Sequence, residues 1–188
     1  PDIKKEVQKS DNTLDKRADY NVGDLVPYVV TVDVPKNIEK LNVFTVTDTP
    51  TNLEFVNDEN DESHKLVVTN EDGKTVISSG YTLTKEDKGF KLAFAQGTLN
   101  TYAGQKIKIK YYDKLLAAAT GNTNTTGKNT VALIYNNKLG TDGTPEGETT
   151  KIQDETVVYS FGIKVKKTDG NGDELDGVKF DLYRVDAT

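Results

Sequence analysis

The chain has 188 residues, 35% hydrophobic and 29% charged, which suits one large domain, or one domain and part of another, with a core that needs no staples. Its net charge of −6 argues against a nucleic-acid partner, which would require clustered cations. Cysteine is absent and histidine occurs once, so disulfides, thiolate metal sites, a hydrolytic triad and a zinc centre have nothing to be made from, and no stretch approaches the roughly 18 apolar residues of a membrane span.

In chain order, residues 1–7 alternate as a strand whose inward set is Ile3, Lys5 and Val7, so a lysine stands where an aliphatic residue belongs. Tyr20-Asn21-Val22-Gly23-Asp24 reads as a turn feeding a β-branched run over 25–34, with Pro27 near its start or on an edge. The next strand spans 42–50 and is ended by Thr49-Pro50. Further strands are expected over 65–69, 75–77, 90–95 and 105–112, the last on the alternation of Ile107 and Ile109. Residues 113–119 offer at most a turn or two of helix, and 122–128 read as a polar turn.

Residues 129–137 alternate again, with Val131, Leu133 and Tyr135 on a face that ends on Asn137. A carboxamide on an apolar face without partners costs about 1–3 kcal/mol. One reaction removes this liability and that of Lys5 together: the amine attacks the carboxamide, ammonia leaves, and a neutral amide remains. Residues 138–155 lack periodicity and read as a loop. The strand then resumes over 157–169, where Ile163, Val165 and Lys167 repeat the opening pattern of apolar residues followed by an inward lysine. Many short strands separated by turn residues predict an all-β sandwich.

Taken together, Ile3-Lys4-Lys5-Glu6-Val7, Tyr20 to Asp24 with Val26-Pro27-Tyr28, Phe44 to Thr49, Asn129-Thr130 with Leu133 and Tyr135 to Asn137, and Tyr159 to Val165 resemble, in order and spacing, the shaft (major) pilins of Gram-positive bacteria. Those proteins are polymerised by sortases and built from tandem immunoglobulin-like domains with internal Lys–Asn isopeptide bonds. The resemblance implies a CnaA-type domain over 1–158. It implies the truncated first part of a CnaB-type domain over 159–188, with Leu175 to Tyr183 as that module's second strand. It assigns the reactive lysine to Lys5, the acceptor to Asn137 and the assisting acid to Asp48; strand parity disfavours the neighbours Lys4 and Asn136. In the second module the crosslinking lysine would be Lys167, its partners expected beyond Thr188.

The chemistry asks for desolvation. A lysine in water keeps its proton to about pH 10.4, and an apolar pocket favours the neutral amine and the neutral acid. A protonated Asp48 could donate to the asparagine carbonyl and pass a proton to the departing ammonia. Without the resemblance each residue has a plainer reading: Lys5 snorkelling from an edge, Asp48 capping a turn, Asn137 turning beside Asn136.

Other motifs carry less. Val34-Pro35-Lys36-Asn37 differs from the family's sortase-reactive Tyr-Pro-Lys-Asn, so Lys36 reads as a solvated strand-end residue and the polymerising lysine is expected upstream of Pro1. Asp169-Gly170-Asn171-Gly172-Asp173 starts like a calcium loop but has Phe180 where the bidentate glutamate belongs. The acidic stretch 58–62 reads as a solvated loop and His64 as an exposed residue. The resemblance thus implies a non-enzymatic structural subunit on the cell wall-anchored, extracellular pilus. It implies no metal or cofactor, no membrane insertion, and copies of itself as sortase-joined partners. The alternative is an adhesin or tip-pilin domain binding a host matrix or cell-surface ligand.

Overall fold

Alternation of inward apolar and outward polar residues shapes almost every element of the chain. The computed structural model describes residues 1–58, 61, 63–117, 124–136, 138, 142, 147–162, 166–179 and 181 (124 and 125 by backbone alone). Its strands are β1 (Ile3–Gln8), β2 (Leu14–Asp15), β3 (Arg17–Asp19), β4 (Leu25–Asp33), β5 (Phe44–Thr51) and β6 (Leu53–Val56). They continue with β7 (Val67–Asn70), β8 (Tyr81–Glu86), β9 (Gly89–Phe94), β10 (Lys106–Leu115), β11 (Asn124–Asn136) and β12 (Thr149–Phe161).

These form two sheets. One runs β2-β1-β4-β10-β6, with β7 also paired to β10; the other runs β3-β12-β11-β5-β9-β8. Pairing is antiparallel except between β3 and β12. The sheets share one apolar core, to which β4 gives Val26, Tyr28, Val30 and Val32, and β10 gives Ile107, Ile109, Tyr111 and Leu115. From the other sheet come Phe44 and Val46 of β5, Phe90 and Leu92 of β9, and Val131 and Leu133 of β11. The all-β sandwich expected from the pattern of short strands is the observed architecture.

Several local expectations are corrected. The segment from Asp113 onward is not helical at its start, because β10 continues to Leu115 against β4 and β6. The polar stretch before Asn129 is strand from Asn124, paired residue by residue with β12 as far as Phe161. The expected loop over 138–155 becomes β12 at Thr149. In both cases a long antiparallel partner satisfies the backbone and overrides weak local propensity. Residues 75–77 contribute a single bridge, Val76 to Thr69, rather than a strand. Two further strands are not among those expected from sequence: β6, where Leu53 and Phe55 alternate inward over only four residues, and β8, where Tyr81 and Leu83 alternate with threonines.

At the chain's end, β12 runs through the expected module boundary at 158. Among the described residues of the tail, Thr168 bridges Glu174 around a turn in which Asp169 accepts from the backbone N–H groups of Asn171 and Asp173.

Candidate functional site

Four strands that look alike in packing each place one polar side chain in their inward row. In β1 the row is Ile3, Lys5, Val7; in β5 it is Phe44, Val46, Asp48; in β10 Asp113 follows Tyr111; in β11 Asn129 precedes Val131 and Leu133. The two sheets therefore close over a polar cluster. Lys5, Asp113 and Asn129 are 0% exposed and Asp48 4%, so their charges and dipoles must answer to one another rather than to water.

Asp48 is the hub. The Lys5 amine donates to its Oδ1 at 2.7 Å, and the Tyr111 hydroxyl donates to the same oxygen at 2.6 Å. Lys5 also donates to the Tyr111 oxygen. The other carboxylate oxygen, Oδ2, accepts from the Asn129 amide nitrogen at 3.3 Å. One carboxylate from the second sheet thus holds both the amine of the first sheet and the carboxamide of its own sheet. The register explains the reach: Asp48 lies opposite Val131 on β11, and Asn129 is the next inward residue along that strand.

The pocket is walled by aromatic rings. The Lys5 amine sits over Tyr28 and Tyr111, 4.4 and 4.9 Å from their ring centres, and those rings stack on each other at 5.4 Å. Phe90 packs edge-on against Tyr111, and Phe55 packs against both. Burial pushes the Lys5 amine below its ordinary value, against the opposing pull of the Asp48 and Asp113 carboxyl groups. Burial likewise pushes the Tyr111 phenol upward, helped by the nearby Asp48.

Asp113 is a second acid in the same pocket. It accepts from the Asn129 amide nitrogen on Oδ2, while its Oδ1 and the Asn129 Oδ1 have no hydrogen-bond partner among the described residues. Burial, and then the neighbouring Asp48, push its carboxyl well above the usual range.

The backbone of β1 is fixed at the lysine from the side opposite β4. The Lys5 N–H donates to Asp154 Oδ2 of β12 at 2.7 Å, and Lys16 donates both to the Lys5 carbonyl, at 2.8 Å, and to the Asp154 carboxylate. Asp154 is held below its ordinary value: partial burial opposes this, but the bonds from Lys16, Lys5 and Glu155 outweigh it.

Of the residues singled out from sequence, Lys5 and Asp48 are brought together in this pocket. Asn137 lies outside the described residues. Its neighbour Asn136 uses its carboxamide oxygen to accept from the N–H groups of Asn42 and Val43, at 3.1 and 2.7 Å, where β11 ends. That position is roughly 17 Å along the strand from Val131, the residue opposite Asp48. Lys167 and Lys36 are exposed. His64 is half-buried rather than exposed, bonded to Asp61 and edge-on to Tyr112. Among the described residues no group of acids and histidines could hold a metal ion.

No family model matches this chain, and no curated protein matches it by sequence. Solved structures do match. The chain is similar to BcpA, the major pilin subunit of Bacillus cereus, at 15% identity and a TM-score of 0.61, over 85% of this chain and 40% of that one. It is similar to domains D2 and D3 of the major pilin SpaD from Corynebacterium diphtheriae, at 23% identity and 0.56, over 83% and 51%. It is also similar to the pilus backbone protein RrgB of Streptococcus pneumoniae, at 19% identity and 0.54, over 86% and 79%. The chain spans about two-fifths of BcpA, and it shares its fold with domains of these pilins.

Proposed function

We propose that this chain is a structural module of a covalently assembled surface pilus, and that it ties itself shut with an isopeptide bond between Lys5 and Asn129. The observation that supports this most directly is the pocket itself: an amine and a carboxamide, both fully buried, bound to opposite oxygens of one carboxylate. The fold shared with BcpA, SpaD and RrgB supports the pilus reading. Asn129 takes the place that the sequence reading gave to Asn137.

The reaction balances without any external reagent. Lys5 gives a proton to Asp48 and becomes a neutral amine. Its nitrogen attacks the Asn129 carbonyl carbon, a C–N bond forms, and the C=O π electrons move onto oxygen. Asp48 gives its proton to the carboxamide nitrogen and takes one from the attacking nitrogen; the old C–N bond breaks and ammonia departs. An amide and a neutral carboxyl remain where an ion pair and a carboxamide stood. Folding supplies the proximity, which for a well-placed intramolecular attack is worth about 7–11 kcal/mol of barrier. Each molecule reacts once, so the chain is a substrate of its own chemistry and has no turnover. Polymerisation by sortase into a wall-anchored extracellular shaft belongs to the same proposal, through a lysine outside this domain.

Intact mass tests the bond. The wild type is expected to weigh one ammonia less than its sequence, and Lys5→Ala, Asp48→Ala and Asn129→Ala to show no such deficit. A wild type at full sequence mass overturns the reading.

A further inference from the structure

The pocket holds more acid than one lysine can neutralise. Lys5 faces two carboxyl groups, Asp48 on β5 and Asp113 on β10, with the Tyr28 and Tyr111 phenols beside them and, among the described residues, no other cation bonded to either acid. Two carboxylates so close in a dry site cannot both ionise against a single ammonium; one retains a proton. The hydrogen bonds say which. Asp48 accepts from Lys5 and from Tyr111 on the same oxygen, the arrangement that stabilises an anion. Among the described residues Asp113 is hydrogen-bonded through its side chain only to the neutral carboxamide of Asn129.

A protonated Asp113 also offers a donor to one otherwise costly atom. The Asn129 Oδ1 is buried without a partner among the described residues. The oxygen and nitrogen of a carboxamide exchange places by a half-turn that leaves the rest of the side chain where it is. After that half-turn the Asn129 oxygen stands where the nitrogen stood, against the Asp113 carboxyl, which can donate to it, and the resting amide gives up its bond to Asp48. The carbonyl that Lys5 must attack is then polarised by an acid on the other sheet, while Asp48 stays free for the lysine proton.

We propose that Asp113 is a second catalytic acid of this site, donating a hydrogen bond to the Asn129 carbonyl oxygen while Asp48 takes and returns the proton of Lys5. This rests on the Lys5–Asn129 reading and divides between two residues what one acid would otherwise do. As the amine attacks, negative charge gathers on the Asn129 oxygen; the Asp113 proton shifts toward it and returns as the C–N bond to ammonia breaks. No proton is gained or lost at Asp113 over the reaction. The product pocket holds two neutral carboxyls around a neutral amide, with no buried ion left behind.

The test is the rate of ammonia loss, followed by intact mass on freshly synthesised protein across pH. In the wild type the rate is expected to fall at alkaline pH as Asp113 ionises. In Asp113→Asn, which keeps the shape and an N–H donor, the rate at neutral pH is expected to drop roughly 10²-fold and the alkaline fall to vanish. A folded Asp113→Asn that loses ammonia at the wild-type rate with the wild-type pH profile overturns this proposal and leaves the crosslink standing. A wild type with no mass deficit removes the crosslink itself. If Asp113→Asn does not fold, the pH profile of the freshly synthesised wild type decides: a rate that falls at alkaline pH supports the proposal, and one that only rises with pH overturns it.

Discussion

Tyr111 shows how little of this pocket is interchangeable. Its ring stacks on Tyr28 and meets Phe55 and Phe90, while its hydroxyl joins the Lys5 amine to the Asp48 carboxylate. Tyr111→Phe keeps the packing and removes only that link. Losing one buried hydrogen-bond partner costs about 1–3 kcal/mol, so ammonia loss is expected to slow by roughly tenfold or more while the fold persists, as time-resolved intact mass would read. Asn137→Ala, by contrast, is expected to leave the ammonia deficit untouched. The acids give a stability prediction as well. Asp113 has its folded value raised by burial, so its contribution is full below the unfolded value and is lost as pH rises through the folded one. In a Lys5→Met background, where no bond forms, adding Asp113→Asn is therefore expected to move the melting temperature increasingly in the variant's favour as pH rises. A difference that stays flat with pH would contradict it.

The residues were legible in proportion to how clean their strand was. Lys5 stands in an alternating run whose parity turns it inward, and Asp48 shares the parity of Phe44 and Val46, though only the resemblance singled it out. Asn129 has the same parity as Val131 and Leu133, yet the Thr/Asn/Gly stretch before it reads as a turn, which hides that β11 began earlier at Asn124. Asp113 obeys the alternation of Ile107, Ile109, Tyr111 and Leu115 perfectly; the alanine run just beyond it is what suggested helix. In both, a local propensity masked a period-2 signal already present.

At the scale of elements, the site depends on how β1 and β5 are held. β2 pairs with β1 only at Val7 and Gln8, so the outer edge of β1 at Lys5 is closed by Asp154 and Lys16 rather than by a strand. Asp154→Ala frees that edge. Faster hydrogen exchange at the Lys5 amide and slower ammonia loss are expected, with the core strands unaffected. On β9, a Cβ at Gly89 would stand 2.0 Å from the Asp48 carbonyl oxygen, so the strand carrying the hub acid closes only over a glycine. Gly89→Ala must push β9 off β5. A loss of about 1–3 kcal/mol in denaturant unfolding is expected, along with incomplete crosslinking. The sandwich class was readable from many short runs between turns. The edge strand β3 was not, because its three residues carry no apolar row and it rests on β12, distant in sequence; β8 was missed although Tyr81 and Leu83 alternate in a hairpin with β9.

Across the whole molecule the proposed bond joins the first strand of one sheet to a late strand of the other, enclosing most of the sandwich in one covalent loop. By analogy with a disulfide closing a loop of that length, the entropic stabilisation is about 5 kcal/mol. The wild type is accordingly expected to melt well above Lys5→Ala, Asp48→Ala and Asn129→Ala; equal melting temperatures would contradict a stabilising role. Pulled from its ends, such a loop cannot lengthen between β1 and β11, the property a tension-bearing shaft requires. Peptide mapping by tandem mass spectrometry addresses this architecture most directly. The account predicts a branched peptide in which the side chain of Lys5 is joined to that of Asn129 with one ammonia missing. Recovery of the two peptides as separate, unmodified species, or of Lys5 joined to Asn137 instead, would contradict it.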